Sequence, residues 1–333
     1  MHLLPFLGRD HSLGDRHVPR LVAERVKIFS DGSLGAETAA IRKVPNQPLY
    51  FDGAADTNRS TKMDVGARAK EMTGVLIHET SALMKQISDA LRKSWRLEIH
   101  AIGDASAEQV LWTLEEGYKE QGLNISEGRP VLTHCQVLGA DLIEIMARNG
   151  VIANVQPSFV PTDMAWVQRR LSPSHLEYAY CWKTLMQRGI VVAGGSDAPI
   201  ESCNPFTGLY DAIFRKDSQG RVFRESECLT FAEALCTYTI NAAKAAGPAA
   251  EAVFGRLEAG FAADFVLCDE EVLSNPEKLL NLTPRLVVVG GVVEFRKTER
   301  ATERAPQRLE GPFIPGKNGR RRSFLQCDCC RVR

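Results

Sequence analysis

Between residues 21 and 246 the chain alternates short apolar runs with longer stretches of helical spacing. Leu21 to Ser30 reads as a strand interrupted by Lys27 and closed by Asp31-Gly32. Thr80 to Lys93 sets Leu83, Met84, Ile87 and Leu91 at helical spacing, with Thr80 as N-cap. The strand Leu97 to His100 follows, then an amphipathic helix over Ser106 to Tyr118. The pattern repeats as strand Pro130 to His134, helix Ala140 to Asn149 and strand Val151 to Val155. Helix His175 to Arg188, strand Ile190 to Ala193 and helix Thr230 to Ala246 complete it. Strands and helices alternating at this spacing predict right-handed βαβ units and a parallel sheet.

Two stretches break the rhythm. Arg42 to Gly74 is polar and rich in turn residues, and reads as a long loop. Beyond residue 250 the texture changes: Ala263 to Leu267, Arg285 to Val289 and Val292 to Phe295 read as strands, the last two a hairpin across Gly290-Gly291. The expected organisation is an irregular N-terminus over 1–20, a barrel portion over 21–250, a small β unit over 251–297, and a basic, disordered tail over 298–333. That tail has nine Lys/Arg against four Asp/Glu.

Composition narrows the partners. The 333 residues carry 41 basic and 41 acidic side chains, so nothing points to nucleic acid or an anionic membrane. The apolar runs fall short of the ~20 residues of a membrane span, and Met1 to Leu7 makes a poor signal peptide. Nine cysteines are scattered through apolar contexts such as Leu235-Cys236. They read as thiols in a reducing, cytoplasmic compartment. A homo-oligomer is left open.

The candidate chemistry sits at strand ends. Lys27, His100, His134 and Asp197 each belong to a different apolar run, and parallel strands deliver such residues to one mouth. Singly, each has a bland reading: a salt-bridged lysine, a packed histidine, a helix cap at Asp197. Jointly they suit metal-assisted hydrolysis, with imidazoles for a divalent ion such as zinc and a carboxylate to move protons.

The segments Val26 to Gly35, Ile99 to Asp104, Thr133 to Gln136, Val155 to Pro157, Ala193 to Pro199 with Glu201, Asn204-Pro205, and Gly255 to Phe265 resemble, in that order, the amidohydrolase superfamily. The resemblance is to its YtcJ-like branch (amidohydrolase family 3), which includes N-substituted formamide deformylase, and covers about residues 21–297. It implies a metal-dependent hydrolase of carbon–nitrogen bonds in small, non-peptide amides or formamides. It also implies an α/β fold, a (β/α)8 TIM-type barrel with a small β-sandwich. Matched residue by residue, Lys27, His100, His134 and Asp197 are implied as ligands of one or two divalent ions, with Lys27 carboxylated in some relatives and Asp197 also the catalytic acid/base. Asp31 and Asp104 would order loops around the pocket, and Phe159 and Trp166 would line it or simply pack.

The sequence departs from the family at its front, where no His-x-His occurs. The first recognisable strand is already the fourth, so the expectation is a partial barrel of about strands 4 to 8 with a small C-terminal β-sandwich portion. Weak or absent activity follows from the missing ligand pair. The alternative is a catalytically inactive truncated fragment or isoform with at most a protein-interaction role.

Overall fold

The computed structural model describes residues 2–7, 11–13, 16–18, 21–50 and 71–297. Its centre is a sheet of six strands, in order β1 (His2–Leu7), β2 (Leu21–Phe29), β3 (Arg96–Ala101), β4 (Val131–His134), β5 (Ile152–Val155) and β6 (Val192–Gly194). The five strands β2 to β6 are mutually parallel. Helices α1 (Thr80–Arg92), α2 (Asp104–Glu120), α3 (Ala140–Asn149), α4 (Phe159–Arg170) and α5 (Trp182–Gln187) lie in the connections between them. This is the α/β architecture of a partial (β/α)8 barrel.

Side chains alternate across each strand. One face holds Val26, Ile28, Leu97, Ile99, Leu132, Ala153, Val155 and Val192, all buried. They share one core with Leu83 and Ile87 of α1, Leu111 and Leu114 of α2, and Leu142 and Met146 of α3. Each fully buried Val, Leu or Ile contributes about 1.5–3 kcal/mol relative to exposure. Helices α1–α3 therefore cover one face, and the opposite face carries the charged side chains of β2 and β3.

After β6 come α6 (Pro205–Phe214), α7 (Phe231–Tyr238) and α8 (Ile240–Ala246). The chain ends its described part in a three-stranded antiparallel sheet of β7 (Phe265–Leu267), β8 (Leu286–Val289) and β9 (Val292–Arg296). Gly290 and Gly291 turn the β8–β9 hairpin with φ of 58° and 76°, the double left-handed turn that matches strand twist.

Several elements differ from the sequence reading. The first twenty residues, expected to be irregular, include β1 and a small ribbon of His11–Leu13 with Arg16–Val18. An edge strand such as β2 presents unpaired backbone groups that template another strand. β1 satisfies them antiparallel from His2↔Lys27 to Leu7↔Leu21, slipping register around Pro5, which has no N–H to give. The helix expected over His175 to Arg188 is split into Pro173–Leu176 and α5. Tyr180 adopts φ 51°, and its N–H donates to Gln136 O at 2.7 Å, so tertiary pairing pulls residues 177–181 out of the helix.

The helix expected over Thr230 to Ala246 breaks at Thr239 (φ −124°, ψ −97°) into α7 and α8. The break lets Asn241 donate to Val192 O at 3.1 Å on the outer edge of β6. Glu79, not Thr80, is the N-cap of α1. The long loop contains the short pair Ile41–Arg42 and Met72–Thr73. Its middle, 51–70, and the basic tail 298–333 lie outside the described residues.

Candidate active site

Alternation sends Arg25, Lys27, Glu98, His100, Thr133 and Asn154 to the face away from α1–α3, and the register lines them up. Lys27 pairs with Glu98 across β2–β3, His100 with Thr133 across β3–β4, and Thr133 with Asn154 across β4–β5. Glu98 is the hub. Its Oε1 accepts from Lys27 Nζ at 3.1 Å, Thr133 Oγ1 at 2.9 Å and Asn154 Nδ2 at 3.5 Å, and its Oε2 accepts from Arg25 Nη1 at 2.9 Å. Burial alone would raise this carboxyl, but Lys27, Arg25 and the hydrogen bonds outweigh it and hold the pKa at about 2. Burial lowers the Lys27 pKa, with Glu98 opposing.

The lower end of this face is closed by α8. Arg25 and Arg96 both donate to the final carbonyls of α8 at Ala245 and Ala246, a favourable place for cations. Ala245 packs on Val131, Ile152 and Ala193. The open end is the C-terminal tip of the strands, where barrel enzymes carry their chemistry.

Two imidazoles meet there. The register pairs His134 with Ala101, on the helix-facing side of the pleat. Its φ of 84° breaks the alternation, and its ring comes to lie 4.5 Å from that of His100, edge on. Asp197, just beyond β6, is also left-handed, with φ 53°. Non-glycine residues held in this region store strain of about 1–3 kcal/mol, and such residues cluster at functional sites.

Each imidazole has its Nδ1 against an oxygen. His134 Nδ1 lies 2.7 Å from Gln156 Oε1, so it carries the proton and Nε2 is the nitrogen with a free lone pair. His100 Nδ1 lies 3.1 Å from Asp31 Oδ1, at an angle too poor for a full hydrogen bond. Burial first, then the proximity of His100 and Lys27, pushes the His134 pKa down to about 3, so this ring is neutral at pH 7.

Asp31 is buried and organises the loops around His100. Its Oδ1 accepts from Ile102 N at 3.0 Å, and its Oδ2 from Gly103 N at 2.9 Å and Ala40 N at 3.1 Å. Gly103 is required here, because a Cβ would stand 1.9 Å from Ala40 O. With its oxygens so occupied, Asp31 is a loop anchor rather than a pocket wall. Asp104 also ties loops together, accepting from Arg42 N at 2.8 Å.

Asp197 is exposed at the rim. Partial burial of its carboxyl raises the pKa, and the charges of Lys27 and His100 only partly offset this, which sets all three in one electrostatic neighbourhood. Phe159 stacks on His134 at 6.0 Å, whereas Trp166 packs on the main core under Arg170, whose guanidinium is 4.5 Å from its ring. The structure thus gathers Lys27, His100, His134 and Phe159, brings Asp197 within their field, and leaves Trp166 apart. Sequence reading missed Glu98 and Gln156 as side chains of the site.

The donor chemistry fits a divalent ion in part. The His134 ring, with Nδ1 held by Gln156, has the usual preparation of a histidine ligand, whereas His100 Nδ1 lies near Asp31 without a hydrogen bond. Among the described residues no three His, Cys, Asp or Glu side chains are gathered as a metal site. Clefts of about 330 and 580 Å³ lie on the C-terminal unit around Asp269 and Glu271. They hold none of the strand-tip groups, and the converging polar side chains mark the tips as the better candidate.

Residues 7–295 match the model of the amidohydrolase family. The chain belongs to that family. It is 34% identical over 277 residues to YtcJ of Bacillus subtilis (strain 168), covering 82% of this chain and 47% of YtcJ. It is 25% identical over 205 residues to N-substituted formamide deformylase of Arthrobacter pascens, covering 61% and 37% of the two chains. The crystal structure of an uncharacterised metal-dependent hydrolase from Pyrococcus horikoshii OT3 superposes with TM-score 0.57 at 25% identity, over 77% of this amidohydrolase chain and 45% of that one. The chain therefore spans less than half the length of each of these relatives.

Proposed function

We propose that this amidohydrolase chain carries part of the metal centre of a hydrolase acting on carbon–nitrogen bonds of small, non-peptide amides or formamides. The observation that carries the reading is the His100–His134 pair at the tips of adjacent parallel strands, with Nδ1 of each ring held against an oxygen. Imidazole nitrogen with a nearby carboxylate suits zinc. A divalent ion bound there would lower the pKa of a water to about 7 and polarise the substrate carbonyl. Asp197 takes the proton from the attacking water and returns it to the leaving nitrogen. Its raised pKa makes it the stronger base for the first of these steps. Phe159 covers the His134 ring and limits water on that side. Lys27 stays below the rings as part of the Glu98 network.

Buried thiols at Cys135 and Cys181 are unpaired, which suits a reducing compartment. No helix among the described residues is long and apolar enough to cross a membrane.

The second reading, an inactive chain that serves only as an interaction partner, is favoured by the lack of a gathered three-ligand set among the described residues. One assay separates them: amine release from N-substituted formamides with and without added zinc. A zinc-dependent rate abolished by Asp197→Asn supports the enzyme. A folded chain with no rate above the zinc blank supports the inactive partner.

A further inference from the structure

Two segments far apart in the chain flank the imidazole pair. The loop after β2 starts at Asp31, beside His100, and turns back on itself, with Thr38 N donating to Ser33 O at 3.0 Å and Gly32 N to Thr38 O at 3.3 Å. Helix α4 starts at Phe159, which stacks on His134, and runs twelve residues to Arg170. The strands these segments leave, β2 and β5, have β3 and β4 between them, a separation of about 14 Å at the usual strand spacing. Arg170 bridges it. Its Nη1 donates to Leu34 O and Gly35 O at 2.6 Å each, while its guanidinium lies 4.5 Å from the Trp166 ring.

The stem and the tip of the loop are held differently. At the stem, Asp31 accepts from the backbone N–H groups of Ala40, Ile102 and Gly103. At the tip, Ser33, Gly35, Ala36 and Glu37 are exposed and Leu34 is buried. A Cβ on Gly35 would meet nothing within 4 Å, so the tip has room to move. Glu37 lies 3.4 Å from Arg170 Nε, but at 73% exposure this ion pair adds little. Bonds from a charged donor to carbonyls are stronger than neutral ones, and the stacked ring favours the cation that makes them.

We propose that Arg170 is a positioning residue for the hydrolysis: it latches the tip of the β2 loop onto α4, and release of this latch opens the way to the His100–His134 pair. This rests on the metal-site reading above. Latched, the loop and α4 form one wall past the tips of β3 and β4, which limits water around the pair. Released, the tip swings from α4 on a stem that Asp31 keeps in place, so His100 does not move with it.

The test compares the full parent chain with Arg170→Met and, as control, with Arg169→Met at its exposed neighbour. Cleavage after Glu37 by a glutamate-specific protease and hydrogen exchange of residues 33–38 read the tip, both without metal. The rate at which a chelator strips bound Co2+, and the visible spectrum of that ion, read the site. Arg170→Met is expected to raise cleavage and exchange about tenfold or more, as the loss of charged hydrogen bonds implies. Exchange at Ile102 and Gly103 should stay as in the parent. Cobalt removal should speed up by a similar factor with the spectrum unchanged, and Arg169→Met should alter none of these.

Cleavage and exchange that match the parent in Arg170→Met overturn the proposal. So does an unchanged rate of cobalt removal once the tip is released, since the loop would then guard nothing. An altered cobalt spectrum also overturns it, because Arg170 would be acting on the pair itself and not on access. If Arg170→Met does not fold, Arg170→Gln, which keeps a polar end but not the reach, is read by the same criteria. A parent chain that binds no cobalt refutes the metal site instead, and cleavage and exchange still decide the latch.

Discussion

Arg42 offers the sharpest test of how the loops around the site are held. Its side chain is fully buried, with Nη2 2.9 Å from Glu108 Oε2 and Nη1 2.8 Å from Asp141 Oδ2. Its backbone is equally committed: the N–H donates to Asp104 and the carbonyl lies 2.9 Å from His175 Nε2. One residue therefore joins the segment after β2 to the starts of α2 and α3 and to the helix before α5. Arg42→Met keeps the volume of the stem and removes the charge. Breaking a buried pair by removing one partner costs about 3–5 kcal/mol, because the other charge is left uncompensated.

Here Glu108 keeps two backbone donors, Leu49 N and Tyr50 N at 2.7 Å each, and Asp141 is 23% exposed. The loss should therefore fall at the lower end, about 3 kcal/mol. That is a large share of the ~5–15 kcal/mol of a typical domain. Urea unfolding followed by circular dichroism reads it as a lower midpoint at constant slope. The double variant Arg42→Met/Glu108→Gln retains an oxygen for both N–H groups and lacks the stranded anion, so it should be more stable than the single variant. Exposed Lys43→Met serves as control, with a change within about 0.5 kcal/mol. A loss below about 1 kcal/mol in Arg42→Met would refute the clamp.

Other predictions follow from the same structure. Asp104 has its pKa raised by burial to about 7, so it favours its neutral form in the fold. The unfolded chain releases that proton near pH 4, and the group's contribution to stability declines as pH rises from about 4 to 7, by at most about 1.4 kcal/mol per unit. His134, depressed to about 3, acts in the opposite direction over part of that window. The check is therefore the difference between parent and Asp104→Asn, which should change steadily across pH 4–7 and be flat above; a pH-independent difference would contradict it. Thr230 and Glu233 form a reciprocal capping box on α7, and Thr230→Ala should cost about 1 kcal/mol in urea unfolding. Asp31→Asn should weaken zinc binding about 10- to 100-fold by loosening His100, measured by competition with a chromophoric chelator.

Much of the architecture was legible because apolar runs and helical spacing alternate clearly from residue 80 to 155, whereas α4 (Phe159–Arg170) was not read as a helix. The helix breaks were not, because their causes are tertiary. Tyr180 leaves the helix to pair with Gln136, and Thr239 turns α8 toward the edge of β6. The first strand was missed because its partner, β2, lies beyond a polar stretch. Within the site, His100 and His134 were marked by their places at strand ends. Glu98 carried a signal that went unused: a strand of a fully covered sheet should be apolar throughout, whereas Glu98 and His100 alternate with Leu97 and Ile99. The same period recurs in Arg25 and Lys27. Two neighbouring strands with charged residues at period two announce a polar inner face, with opposite charges to pair across it. Gln156 had no such signal, since its role depends on where His134 turns.

The central claim is that the His100–His134 pair binds a divalent ion at the strand tips. Titrating the chelator-stripped chain with Co2+ and following the visible absorption of the bound ion tests it most directly. The account predicts a saturable spectrum with a single equivalent of cobalt, displaced by zinc. His100→Ala and His134→Ala should each abolish it while the far-ultraviolet circular dichroism is retained. A folded parent chain that gives no spectrum, or a spectrum indifferent to both substitutions, would contradict the account.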